Sequence, residues 1–268
     1  MLLNDRFRKL ARRLLPPGLR RPLGGLAGFV DHHVIYPLAG LWFDLSGGRF
    51  KTDGCVFEIP RNVTSRSYRA TFVLGDYEED ERELIHKFLQ PGDSVLEFGA
   101  CMGIVSCVTN KLLRDKRRHV VVEANPMLIP AIHRNRELNQ CGFLVENCAG
   151  SNEREVSFYL HPLYVVGGTY QRQSGREVRV PGRSIRELNE RYGPFTTLII
   201  DVEGAERDLL EGSADALRQF RLIILETHDW AIGAEATERC RQLLSAAGLK
   251  KVGDAGATEA WRRSENAP

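Results

Sequence analysis

Several familiar signatures are missing from this sequence. The six cysteines (Cys55, Cys101, Cys107, Cys141, Cys148, Cys240) contain no C-x-x-C pair, and no secretory leader is legible ahead of them. A reduced, cytoplasmic protein is expected rather than a disulfide scaffold or a zinc module. No apolar run reaches the roughly 18–20 residues of a spanning helix. Residues 23–45 come nearest, but Gly24-Gly25 opens them and Asp31, His32 and His33 interrupt them. The net charge of +2 is too small to argue for nucleic acid by itself. The glycine-rich turn discussed next lacks the third glycine of G-x-G-x-x-G, which weakens a dinucleotide reading.

What is present is organised around S-V-L-E-F-G-A-C-M-G, residues 94–103, followed by V-V-V-E-A-N at 120–125. An apolar run, two glycines four apart and a helical pattern read as a buried strand, a tight turn and a helix N-terminus, whose backbone amides face a ligand above the sheet. The second run ends in Glu123, placed to accept hydrogen bonds from both hydroxyls of a ribose. Elements then alternate. Strands are expected at 94–99, 119–123, 143–147, 196–201 and 221–226, and helices at 78–89, 104–114, 127–139, 184–192, 205–210 and 235–247. Further strands are expected at 155–160, 177–180, 250–253 and 259–262, with weak strand signals at 55–59 and 68–73. Such alternation predicts a Rossmann-like, doubly wound α/β fold with a mostly parallel sheet, its ligands beyond the carboxyl ends of the strands. Residues 71–268 form the expected domain, and 1–70 an accessory region with a helical extension.

The motifs E-F-G-A-C-M-G (97–103), V-V-V-E-A-N-P (120–126) and I-I-D-V-E-G-A-E (199–206) resemble the FkbM-type branch of class I S-adenosylmethionine-dependent methyltransferases, over about residues 77–229. The resemblance implies that Gly99, Ala100 and Gly103 let the backbone approach the methionine part of S-adenosylmethionine, with Glu97 orienting its ammonium group. It implies that Glu123 holds the ribose, Ala124 and Asn125 flank the adenosine, and Asn147, Cys148 and Ala149 meet the adenine. Asp201 then lies close to the sulfonium methyl. The family more often has Asp at Glu97, Asn at Cys101 and Lys at Ile200. Implied acceptors are hydroxyls of sugars or natural products, a small-molecule or glycan partner. The absence of N/D-P-P-Y/F disfavours transfer to an exocyclic base nitrogen.

A hydroxyl acceptor needs a group to take its proton. Asp201, Glu203 and His228 are the catalytic candidates; an ordinary histidine pKa suits a base near neutrality, although His228 could equally be satisfied by backbone groups in a loop. Asp201 and Glu203, with His228 or Glu226, could coordinate a divalent ion such as magnesium, which is not the favoured reading; Glu203 could also simply sit at a helix N-terminus. Cys101 reads as a packing residue more than a reactive thiol, and His32-His33 as surface or packing. Tyr159, His161, Tyr164, Tyr170 and Arg172 surround G-G-T at 167–169, in an acceptor pocket or a surface hairpin. Residues 1–21 hold Arg6, Arg8, Lys9, Arg12, Arg13, Arg20 and Arg21 against Asp5, with Leu3, Phe7, Leu10 and Leu14 at helical spacing. The pattern predicts a basic amphipathic helix, stopped by Pro16-Pro17-Gly18, for a membrane surface or partner protein; the alternatives are a helix packed on its own domain or a frayed terminus. Two alternatives follow: an RNA-directed enzyme gripping phosphates with this segment, or a cofactor-binding scaffold without catalysis acting through it.

Overall fold

The computed structural model describes residues 36–74, 77–160 and 176–263. The elements within them are α1 (Tyr36–Leu45), β1 (Arg49–Thr52), β2 (Cys55–Glu58), α2 (Arg66–Leu74), α3 (Glu79–Phe88), β3 (Val95–Phe98), α4 (Ile104–Leu112), β4 (His119–Val122), α5 (Ile129–Leu138), β5 (Leu144–Glu146), β6 (Ala149–Gly150), β7 (Glu155–Leu160), β8 (Arg176–Arg183), α6 (Ile185–Tyr192), β9 (Thr197–Ile200), α7 (Glu206–Glu211), a 3-10 turn (Ala216–Gln219), β10 (Leu222–Glu226), α8 (Asp229–Ala246), β11 (Leu249–Ala255) and β12 (Thr258–Arg263). The basic helix expected at 1–15, the G-G-T turn at 167–169, and His161, Tyr164, Tyr170 and Arg172 lie outside the described residues.

Strand order in the main sheet is β11-β12-β10-β9-β3-β4-β5. The pairs β10/β9, β9/β3, β3/β4 and β4/β5 are parallel, and β12 runs antiparallel to both its neighbours. The central strands are continuous apolar runs because both of their faces are covered. Leu96, Phe98, Leu198, Ile200, Ile223 and Leu225 pack with Ile185 and Leu188 of α6, Leu209 and Leu210 of α7, and Leu243 and Leu244 of α8. The alternate residues Val95, Ile199, Leu222 and Ile224 meet Leu84 and Ile85 of α3 and Val105 of α4. This is the doubly wound, mostly parallel architecture that the alternation predicts. Chain order reverses direction at β3, which lies between β4 and β9, and ligands bind at such a switch point.

Residues 36–74 and Tyr77 pack onto the same body. Phe43, Phe50, Phe57, Phe72 and Tyr77 share a core with Met102, Ile104, Cys107, Val121 and Ile132. Two buried or half-buried asparagines of α5 and its end fasten β2: Asn135 and Asn139 accept the N–H of Glu58 and Val56, each at 2.8 Å. The stretch 68–73, with its strand signal, is helix α2. Ser65 Oγ accepts the Tyr68 N–H at 2.9 Å, which caps the turn, and Arg69 grips Asp44 of α1 at 2.7 and 2.9 Å. Tertiary contacts here override the preference of aromatic and β-branched residues for strands. The last long helix starts at Asp229 rather than 235, and is kinked where Gly233 takes φ 81°.

Candidate active site

The site lies at the carboxyl ends of β3, β4, β9 and β10. After β3 the chain turns through Gly99 (φ 92°), Cys101 (φ 49°) and Gly103 (φ 77°) into α4. A Cβ at Gly99 would stand 1.6 Å from the carbonyl oxygen of Asp201, so the loops after β3 and β9 touch as only glycine allows. The pocket that opens there is lined by Gly99, Cys101, Glu123, Ala124, Asn125, Cys148, Ala149, Asp201 and Glu203, together with Tyr68, Glu78, Phe98, Leu128 and Phe158. Among the described residues, three of the five non-glycine positions with left-handed backbone, Glu78, Cys101 and Glu203, line this one pocket. Such strain costs of order 1–3 kcal/mol per residue and clusters at functional sites.

Glu123, at the tip of β4, is buried and its carboxylate is held by main-chain amides: Oε2 accepts the Cys101 N–H at 2.8 Å and Oε1 the Asn125 N–H at 2.7 Å. Burial raises its pKa to about 7 despite these bonds. Each oxygen keeps lone pairs for further donors.

Four residues expected to touch the cofactor do not line the pocket. Glu97 points the other way: on β3, Leu96 and Phe98 face α6 to α8, so Glu97 faces α4, where it binds Ser106 Oγ and lies 3.0 Å from His119 Nε2. Ala100 is core, its N–H donating to Val122 at 3.3 Å. Gly103 serves as the N-cap of α4. Asn147 braces the strand end, its side-chain amide donating to the carbonyls of Glu123 and Ala124 at 2.7 and 3.3 Å. Cys101 has its thiol pKa pushed well above the ordinary value by burial and by Glu78, the reverse of a reactive thiolate.

The β9–β10 side is crowded with acid. Asp201 follows β9, and its Oδ1 is buried without a hydrogen-bond partner. Burial, then Glu226, Glu81, Glu78 and Glu203, hold its pKa well above the carboxylate range. Glu78 is raised to about 8, first by burial. His228 lies beside the pocket, its Nδ1 2.5 Å from Glu206 Oε1 and its Nε2 3.6 Å from Asp201 and 3.9 Å from Glu226. Burial pulls its pKa down, but Glu206, Glu226 and Glu203 outweigh that and the value is raised. Glu206 also accepts the Gly204 N–H at 2.9 Å. Donor atoms of Asp201, Glu226 and His228 lie within 4.8 Å of one another, close enough to share a divalent cation.

Sequence reasoning brought Asp201, Glu203 and His228 to one corner but gave no role to Glu206 or Glu78. Glu206 stood inside the motif I-I-D-V-E-G-A-E and Glu78 at the start of the resembling stretch 77–229, and that was the signal available. Tyr68 and Phe158 carried none.

The model of the methyltransferase FkbM domain matches residues 97–251, more than half of the chain. The chain belongs to the FkbM methyltransferase family. This FkbM protein has no match among curated proteins. Its fold is similar to that of solved structures at low identity. The O-methyltransferase from Bacillus cereus in complex with SAH is 15% identical over 88% of this chain and 96% of that one, with a TM-score of 0.45. The ribosomal protein L11 methylase from Lactobacillus delbrueckii subsp. bulgaricus is 13% identical over 69% and 77%, at 0.43. A protein of the NADB-Rossmann superfamily from Streptococcus agalactiae is 10% identical over 70% and 69%, at 0.44. None of the three speaks to the acceptor of this FkbM methyltransferase.

Proposed function

We propose that this methyltransferase binds S-adenosylmethionine in the pocket between Gly99 and Glu123 and methylates a hydroxyl oxygen of a small-molecule or glycan acceptor. The observation that carries the cofactor reading is Glu123, a carboxylate fixed by two amides at the strand tip with lone pairs left for a ribose diol. The donor set fits the group in charge as well. Glu78, Glu123, Asp201 and Glu203 line the pocket, and among the described residues no Lys or Arg does. That lining suits a sulfonium and an ammonium, and repels the two phosphates of a dinucleotide. When bound, S-adenosylmethionine supplies an electrophilic methyl group.

The chain's own residues supply the rest. Glu206 accepts a hydrogen bond from His228 Nδ1–H and fixes that tautomer, leaving Nε2 as the basic nitrogen toward Asp201. His228 Nε2 takes the acceptor's proton, and Asp201, whose Oδ1 lacks a hydrogen bond and lies 3.6 Å from that nitrogen, holds the hydroxyl in line. The test is turnover of His228→Ala and Asp201→Asn with S-adenosylhomocysteine affinity measured in parallel. Turnover falls while affinity stays; unchanged turnover in both variants removes this reading.

One observation favours a second reading, in which Asp201, Glu226 and His228 share a divalent cation. A chelator separates the two. Turnover that survives chelation keeps His228 as the base, and turnover lost to chelation and restored by magnesium makes Nε2 a ligand.

A further inference from the structure

Helix α1 is apolar nearly all round and leaves one apolar stripe on the outside. Tyr36, Gly40 and Phe43 are buried, whereas Leu38, Leu41, Trp42 and Leu45 are 60, 37, 62 and 78% exposed. The exposed four are spaced i, i+3, i+4 and i+7, one continuous stripe opposite the packed face. The helix cannot roll to hide it. A Cβ at Gly40 would stand 2.0 Å from the Arg66 carbonyl, so α1 and α2 are in backbone contact, and Asp44 is held two-pronged by Arg69.

Two exposed arginines lie beside this helix. Arg61, whose side chain is 64% exposed, reaches the C-terminal end of α1 at Asp44, and exposed Arg66 lies against Gly40. The sequence leading into α1, residues 1–35, holds seven Lys and Arg against two Asp. A tryptophan within an apolar stripe, with exposed arginines beside the helix, matches the boundary between acyl chains and anionic headgroups. No helix among the described residues is long and apolar enough to cross a membrane, so the fit is to a surface.

We propose that α1 docks this protein on an anionic lipid surface, inserting Leu38, Leu41, Trp42 and Leu45 while Arg61 and Arg66 beside it meet the headgroups. The proposal stands apart from the chemistry of the pocket.

Flotation of the full chain tests it, with phosphatidylcholine vesicles containing phosphatidylserine against phosphatidylcholine alone. The protein is expected to float with the anionic vesicles, less so as salt rises. Trp42→Glu with Leu45→Glu should lower partitioning at least about tenfold, since insertion scales with buried apolar area, with thermal melting showing that the variant folds. A Trp230→Phe background keeps the question open should that variant not fold, because Trp261 is buried and Trp42 is then the exposed reporter. Its emission should shift to the blue and be quenched by brominated lipid. The proposal is overturned if the full chain stays unbound with both vesicles, if the double variant floats like the parent, or if brominated lipid leaves Trp42 unquenched. It is equally overturned if the parent is a dimer that the double variant splits, since the stripe would then be covered by a second copy.

Discussion

Glu123 and Asp201 end two strands of one sheet and face one pocket, yet the chain treats them differently. Both oxygens of Glu123 are bonded to main-chain amides, of Cys101 and Asn125. Asp201 keeps a buried Oδ1 with no hydrogen-bond partner, and four further carboxylates, Glu226, Glu81, Glu78 and Glu203, act to keep it protonated. A carboxylate fixed by backbone is ready for a ligand that brings O–H donors. One crowded by like charge is ready for a ligand or proton that brings positive charge. The first end is set by geometry and the second by electrostatics, and each can be broken separately.

The largest effect is expected at the electrostatic end. His228→Ala should lower kcat by ~10²–10⁴, the usual contribution of a positioned base, and leave S-adenosylhomocysteine affinity within about a factor of two. A parallel loss of affinity would mean that the two ends are not separable. Next comes the geometric end. Glu123→Ala should weaken cofactor affinity by roughly ten- to a hundredfold, that is ~1.4–2.8 kcal/mol. It should also destabilise the empty protein, because a buried amide left without its acceptor costs about 1–3 kcal/mol. Glu123→Gln, which retains an acceptor oxygen, should fall between the parent and the alanine variant in calorimetry and thermal melting.

Dependence on pH distinguishes the ends more finely. Glu123, raised from 4.5 to about 7, binds more protons folded than unfolded, so the stability it contributes is full below pH 4.5 and is lost as pH rises through about 7. His228, also raised, has the same sign. The melting temperature of the empty protein should therefore decline over that window, and Glu123→Gln should flatten the decline. Affinity should move the opposite way, since Glu123 and Glu78, at about 7 and about 8, must ionise to meet a cationic ligand. Calorimetry in buffers of different ionisation enthalpy should show proton release on binding. The smallest effect belongs to Trp230, 65% exposed and edge-on to His228 at 5.8 Å. If it borders the acceptor, Trp230→Ala raises the acceptor KM a few-fold, the scale of one aromatic contact at ~0.5–1.5 kcal/mol, and leaves cofactor affinity unchanged.

The geometric end was the more legible in the sequence. A strand, a glycine turn and a carboxylate at the next strand tip are local patterns, and Gly99, Glu123 and Asn125 could be placed from them. Even there the partners of Glu97 were not legible. Its position in the motif suggested the ligand, but alternation along β3 sends it to the face opposite Leu96 and Phe98, to Ser106 and His119. At the electrostatic end the decisive contacts join distant segments. Glu206 reaches His228 across β10, and Glu78 comes from the start of α3. No spacing rule marks a carboxylate that will be buried beside others. The α1–α2 layer was the least legible, because Arg69 and Ser65 turn a strand-like stretch into a helix through contacts that only the folded chain makes.

The most direct test of the central claim is a calorimetric titration of the full chain with S-adenosylhomocysteine, using NAD as comparator and Glu123→Ala as control. The account predicts micromolar binding, about −8 kcal/mol, that weakens at least tenfold without Glu123, and no binding of NAD. Absence of S-adenosylhomocysteine binding to folded protein, or binding indifferent to Glu123, would contradict it.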